Sequence, residues 1–106
     1  MMYCGFTLKA ILWNMKDNMY YVYIVKCADD TLYTGIATAL QRRIEEHNSS
    51  EKGAKYTRAR RPVELVYVEE YPDRSSASKR EYVIKKKMTR EEKLKLITTN
   101  RYMENI

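Results

Sequence analysis

The run Tyr20-Tyr-Val-Tyr-Ile-Val-Lys26 carries apolar or aromatic side chains at both parities of an extended chain. Successive strand residues point to opposite faces, so a run of this kind needs other elements above and below it. It is expected to be the central strand of a layered domain. The chain has 106 residues to supply the flanking strands and both covers, which is enough for one core. Ala28-Asp-Asp-Thr31 offers turn chemistry, and Leu32-Tyr-Thr-Gly-Ile36 then reads as a second strand returning through a hairpin. Gly35 either ends that strand or lets another group approach the backbone closely. After Pro62, Val63-Glu-Leu-Val-Tyr-Val-Glu69 alternates as a half-buried third strand.

Three helices complete the pattern. Thr38 is the expected N-cap of a helix through about His47, with Asn48-Ser-Ser as its stop. Ser75 or Ser76 is expected to cap a second helix running to about Met88. Thr89 and Glu92 have capping-box spacing for a last helix near Arg90 to Ile97. The order ββαβαα with a short hairpin predicts an α+β fold, a small three-stranded antiparallel sheet flanked by helices. The domain is expected over residues 19–98. Residues 1–18 read as an N-terminal extension or upstream-start artefact, and residues 99–106 as a tail.

Several classes drop out. Cys4 and Cys27 lack metal-ligand spacing, and His47 is the single histidine, so neither a disulfide scaffold nor a tetrahedral zinc site is supported. This cysteine usage points to a reducing, cytoplasmic setting. No apolar run approaches the ~18 residues of a membrane span, and the opening residues lack the layout of a signal peptide.

The net charge of +6 is concentrated. Residues 19–51 carry −2, 52–61 carry +5, 62–73 carry −4 and 74–95 carry +6. The segment 52–61 interleaves Lys52, Lys55, Arg58, Arg60 and Arg61 with Tyr56 and Thr57. That composition suits nucleic-acid phosphates, with one ring for stacking, although a solvated loop has the same composition. Lys85, Lys86 and Lys87 fan around a helix and read first as solvated surface. Tyrosine supplies 10 of the 12 aromatic residues, so hydroxyl groups are available for chemistry as well as packing.

Helical projection sorts the polar residues. With Leu40 at 0°, Ile44 falls at roughly 40°, His47 at roughly 340° and Arg43 at roughly 300°, while Arg42 points away. With Ala77 at 0°, Ile84, Met88 and Glu81 fall at roughly 340°, 20° and 40°. A carboxylate thus enters the buried stripe and must be paired, metal-bound or placed at a cleft mouth. Structural alternatives stand beside these signals. A cationic His47 would cap its helix C-terminus, Arg43 would pair with Glu81, and strand tyrosines would be packing residues.

Taken in order, Tyr21-Val22-Tyr23, Tyr33-Thr34-Gly35, Arg43, His47 and Glu81 resemble the GIY-YIG nuclease domain, from about Tyr20 to Ile97 and including the Lys-Tyr-Thr-Arg segment at 55–58. The likeness is to the family's small single-domain members. It implies hydrolysis of nucleic-acid phosphodiester bonds with one divalent ion, Mg²⁺ or Mn²⁺. By that resemblance Tyr23 and Tyr33 are the motif tyrosines, one of them the general base helped by His47. Arg43 serves the phosphoryl oxygens and Glu81 holds the metal. The expected substrate is structured, damaged or single-stranded nucleic acid, DNA before RNA, with a protein partner for targeting. Tyr21 replaces the first glycine of the motif, Thr34 an isoleucine, and Ile36 a lysine found in some repair nucleases of the family, for which Lys55 is a candidate substitute. The alternative is a non-catalytic DNA- or RNA-binding module on the same fold, and a third class is a plain interaction domain.

Overall fold

The computed structural model describes residues 19–49 and 51–99. The expected extension at 1–18 lies outside them, as does the expected tail beyond Thr99. The elements are β1 (Tyr20–Lys26), β2 (Leu32–Ala37), α1 (Leu40–Ser49), a single turn α2 (Lys55–Arg58), β3 (Glu64–Tyr71), α3 (Arg74–Tyr82) and α4 (Arg90–Thr98). A π-helical turn, Val83–Lys87, continues α3. The three strands form one sheet in the order β2-β1-β3, with both pairings antiparallel.

The central position of β1 follows from its composition: Tyr21 through Val25 are each no more than 1% exposed. Tyr21, Tyr23 and Val25 face α1 in a core with Leu40, Ile44, Leu65 and Val68. Val22 and Ile24 face the other way, against Tyr67, Ala77 and Ile84. Strand β3 departs from simple alternation because its register against β1 shifts between Ile24 and Val25. Ile24 faces Tyr67 while Val25 faces Leu65. The bulge sends Tyr67 and Leu65 to opposite faces, so both layers draw on one edge strand.

Asp30 accommodates the β1–β2 turn at φ 67°, a conformation Asp tolerates better than most side chains. Asp29 accepts from Thr31 N at 3.1 Å and from Thr31 Oγ1 at 2.6 Å.

The helix ends differ from expectation in three places. Helix α1 starts at Leu40, where Arg43 N bonds Ala39 O at 3.0 Å, so Ala39 rather than Thr38 flanks it. Helix α3 is capped by Asp73, whose carboxylate accepts from Ser76 N at 2.7 Å, not by Ser75 or Ser76. Asp is as good an N-cap as Ser, and its earlier position wins the extra turn residues. The second helix does not run on as α-helix to Met88. The ladder widens after Tyr82, and Met88 N bonds Val83 O at 3.1 Å. The Thr89–Glu92 capping box is present, with both reciprocal bonds made.

Candidate active site

The strand register builds the site. Tyr23 pairs with Gly35 and Val25 with Tyr33, so both motif tyrosines lie on the α1 face of the sheet. A Cβ at Gly35 would lie 2.6 Å from Tyr23 Cζ and closer still to Oη. Glycine there lets the Tyr23 ring cross its neighbouring strand, the close approach expected at this position. The ring delivers its hydroxyl to His47, with Oη 2.8 Å from Nε2.

His47 occupies the same helical stripe as Leu40 and Ile44 and is fully buried. Its Nδ1 lies 2.8 Å from Thr57 Oγ1, and that hydroxyl reaches Ala54 O at 3.0 Å. Burial first, and then the charge of Arg43, pushes the His47 pKa down to about 4. The imidazole is therefore neutral at pH 7, and His47 is not the cationic helix cap. Arg61 performs that capping, donating from Nε to His47 O and from Nη2 to Glu46 O at 3.2 Å. Gly53 permits this packing, since a Cβ there would lie 2.7 Å from Glu46 O. Asn48 ties the end of α1 to the start of β3, accepting from Val63 N at 2.6 Å and donating to Val63 O at 3.0 Å.

Arg43 does not pair with Glu81. Its Nη1 donates to Glu46 Oε1 at 3.0 Å and to Lys52 O at 2.7 Å. Burial pushes the Tyr23 pKa up to about 12, and the nearby Arg43 guanidinium counteracts part of that rise. Tyr33 sits beside this group, its ring edge-on to His47 at a centroid distance of 5.4 Å. Burial raises its pKa above the ordinary phenol value, opposed by Arg43. Its hydroxyl has no hydrogen-bond partner among the described residues.

Glu81 approaches from the other layer, on α3, which packs on β1 and β2. Its negative charge acts on both Tyr23 and Tyr33. The side chain is 27% exposed and lies at the mouth of the site, with Lys85 Nζ 3.8 Å from Oε2. Lys85 also stands 5.4 Å from the Tyr33 ring centroid. The lysine run that read as solvated surface thus contributes one cation to the site. Among the described residues no three or more His, Cys, Asp or Glu side chains cluster as metal ligands. One partly exposed carboxylate that already attracts a cation fits a Mg²⁺-type ion, which takes few protein oxygens and keeps water and substrate oxygens.

The basic segment 52–61 divides by role. Arg60 donates to Asp29 Oδ2 at 3.1 Å and to Tyr56 O at 2.9 Å, and its guanidinium lies 3.9 Å from the Tyr56 ring centroid. Tyr56 in turn stacks with Tyr33 at 6.0 Å. Arg60 and Arg61 are held internally, whereas Lys55 and Arg58 are exposed on α2 and Lys52 is exposed just before it. Sequence reasoning missed Thr57, Asn48 and Lys85 as parts of the site. Only Thr57 carried a signal, as a hydroxyl set among cations.

Two phenols, an imidazole, a guanidinium and one carboxylate thus come from β1, β2, α1 and α3, and they belong to the residues that carry the resemblance to the GIY-YIG domain. A family model described as the GIY-YIG catalytic domain matches residues 19–95, and the chain belongs to that family. It is 71% identical over 66 residues to a UPF0213 protein of Desulfotalea psychrophila, a match spanning 62% of this chain and 60% of that protein. A UPF0213 protein of Syntrophus aciditrophicus is 54% identical, over 76% of this chain and 91% of its own length. Among solved structures, the solution NMR structure of a protein from E. faecalis is similar at 37% identity and a TM-score of 0.56, covering 80% of this chain and 88% of that one. In the described residues no helix is long and apolar enough to cross a membrane.

Proposed function

We propose that this chain hydrolyses phosphodiester bonds in nucleic acid, structured, damaged or single-stranded DNA before RNA, with a divalent ion held by Glu81. The observation that carries this reading is the Tyr33 hydroxyl, which has no hydrogen-bond partner among the described residues and feels the opposed charges of Arg43 and Glu81. Nη1 of Arg43 is spent on Glu46 and Lys52 O, leaving its other N–H groups for an incoming phosphoryl oxygen. Tyr33 serves as the base in its phenolate form: its own proton would leave to solvent first, favoured by the positive charge of Arg43 and of a bound ion against the burial that raises its pKa, and the phenolate then takes a proton from the attacking water. Glu46 and Lys52 O hold Arg43 in place. Lys85, beside Glu81 and Tyr33, supplies positive charge to the site. Lys52, Lys55 and Arg58 contact flanking phosphates. When bound, the ion would polarise a phosphoryl oxygen and stabilise the leaving oxygen. A reducing cytoplasm accords with Cys27 standing as a free, buried thiol.

A panel of single-stranded, duplex, flapped and damaged DNA and RNA, incubated with Mg²⁺ or Mn²⁺, tests the proposal. Cleavage stimulated by the ion and lost in folded Glu81→Ala is the expected result. Absence of cleavage across the panel, with binding retained, would convert the reading to a non-catalytic nucleic-acid module. Equal cleavage by Glu81→Ala would remove the glutamate from the chemistry.

A further inference from the structure

The row Tyr23, His47, Thr57, Ala54 O admits one consistent placement of protons. Ala54 O can only accept, so Thr57 Oγ1 gives its proton to that carbonyl and meets His47 Nδ1 as an acceptor. Tyr23 is 1% exposed, and its hydroxyl lies 2.8 Å from His47 Nε2. If Nε2 carried the imidazole proton, Nδ1 and Thr57 Oγ1 would face each other with no proton between them and the Tyr23 proton would be buried without an acceptor, an arrangement that costs stability. Nε2 therefore accepts, and the proton sits on Nδ1. Nδ1–H then donates to Thr57 Oγ1 at 2.8 Å, and Thr57 donates onward to Ala54 O at 3.0 Å. Ala54 O also takes Thr57 N and Arg58 N, so the carbonyl that closes the row belongs to the α2 turn itself.

We infer that Thr57 is a positioning residue: its fully buried hydroxyl holds His47 in the Nδ1–H tautomer, so that Tyr23 donates to Nε2. Thr57 touches no substrate and acts through His47. The link to cleavage rests on the proposed function, whereas the tautomer does not. Lys55 and Arg58 share the α2 turn with Thr57, so the loop that presents cations outward also sets the polarity of the row inward.

Long-range ¹H–¹⁵N correlation spectra of the single histidine in the full chain read the tautomer directly. The wild type is expected to show a protonated Nδ1 and an unprotonated Nε2 at neutral pH. Thr57→Val keeps the shape and removes the acceptor, so the Nδ1 signal should move toward a mixed-tautomer position. Thr57→Ser should restore the wild-type spectrum. Cleavage should fall roughly 10- to 100-fold in Thr57→Val and recover in Thr57→Ser. A wild-type histidine protonated on Nε2, or on both nitrogens, overturns the inference, as does an Nδ1 signal that Thr57→Val leaves unmoved. Should Thr57→Val fail to fold, the wild-type and Thr57→Ser spectra still decide the tautomer. A wild type with the expected tautomer and no cleavage supports the inference and defeats only the nuclease reading.

Discussion

Each face of the sheet buries a polar network against a tyrosine pair, and the two are finished differently. On the α3 face, Glu69 receives both Nε and Nη2 of Arg80, at 2.9 and 3.0 Å, together with the hydroxyls of Tyr67 and Tyr71. Burial alone would raise the Glu69 pKa, but Arg80 and the two hydroxyls outweigh it and hold the carboxylate below its usual value. On the α1 face the phenols and imidazole are neutral, Tyr33 keeps an open hydroxyl, and Glu81 has only Lys85 at 3.8 Å. Helix α3 serves both networks from adjacent positions, Arg80 bonding the saturated carboxylate of Glu69 and Glu81 supplying the unsaturated one. A filled network fixes a helix, while one with unused donors and acceptors has capacity for a ligand.

The largest effect expected from that contrast separates the two carboxylates by activity. Glu81→Gln should lower cleavage roughly 10²- to 10³-fold, as for loss of a single electrostatic group at a reacting centre, with the thermal midpoint unchanged. Glu69→Gln should do the reverse, leaving the rate per folded molecule near wild type. Loss of stability in Glu81→Gln, or a Glu69→Gln protein that is fully folded yet inactive, would break the division.

Acid titration should separate the same networks by stability. For His47 the folded pKa is about 4 against 6.5 in the unfolded chain, so the unfolded state binds more protons between those values. Its contribution is fully present above about pH 6.5 and is lost as pH falls toward 4, at most about 3 kcal/mol. Glu69 also has a depressed folded pKa, so its contribution is present above the unfolded carboxylate value of 4.5 and is lost below it, as pH falls through the folded pKa. Urea unfolding from pH 7 to pH 4.5 should therefore lose stability in the wild type and much less in His47→Gln. At pH 7, Glu69→Gln should cost about 2 kcal/mol, the scale of stripping one partner from a part-buried ion pair. An equal pH slope in wild type and His47→Gln would show that the imidazole is not held neutral by the fold.

How much of this was legible from residues alone depended on whether local pattern or distant partners decided. The double burial of β1 was written in Tyr21 to Val25, and helical projection put Arg43 and His47 at the border of one stripe and Glu81 inside the other. The capping box at Thr89 was equally local. Register was not local: nothing in the two strands alone sets Tyr23 across from Gly35, although both residue types are visible. The π turn was illegible because Val-Ile-Lys-Lys-Lys contains neither Gly nor Pro. The tautomer of His47 needed Tyr23 and Thr57 beside it, so that β1, α1 and α2 all had to be in place.

The basic segment provides the smallest and most discriminating effect. Composition treats its five cations alike, but Arg61 meets the carbonyls at the end of α1 while Lys55 and Arg58 face solvent. Replacing Lys55 and Arg58 together by Gln should reduce the log–log salt slope of duplex DNA binding by about 2, near 0.9 for each phosphate no longer neutralised. The melting temperature should stay within about 1 °C, since exposed substitutions of this kind rarely move stability by more than ~0.5 kcal/mol. Arg61→Gln should show the opposite signature, an unchanged slope with stability lower by about 1 kcal/mol as the α1 carbonyls lose a donor. If Arg61→Gln instead lowers the slope and leaves stability intact, its bonds to Glu46 O and His47 O give way to phosphate in the complex, and the segment acts as one electrostatic surface.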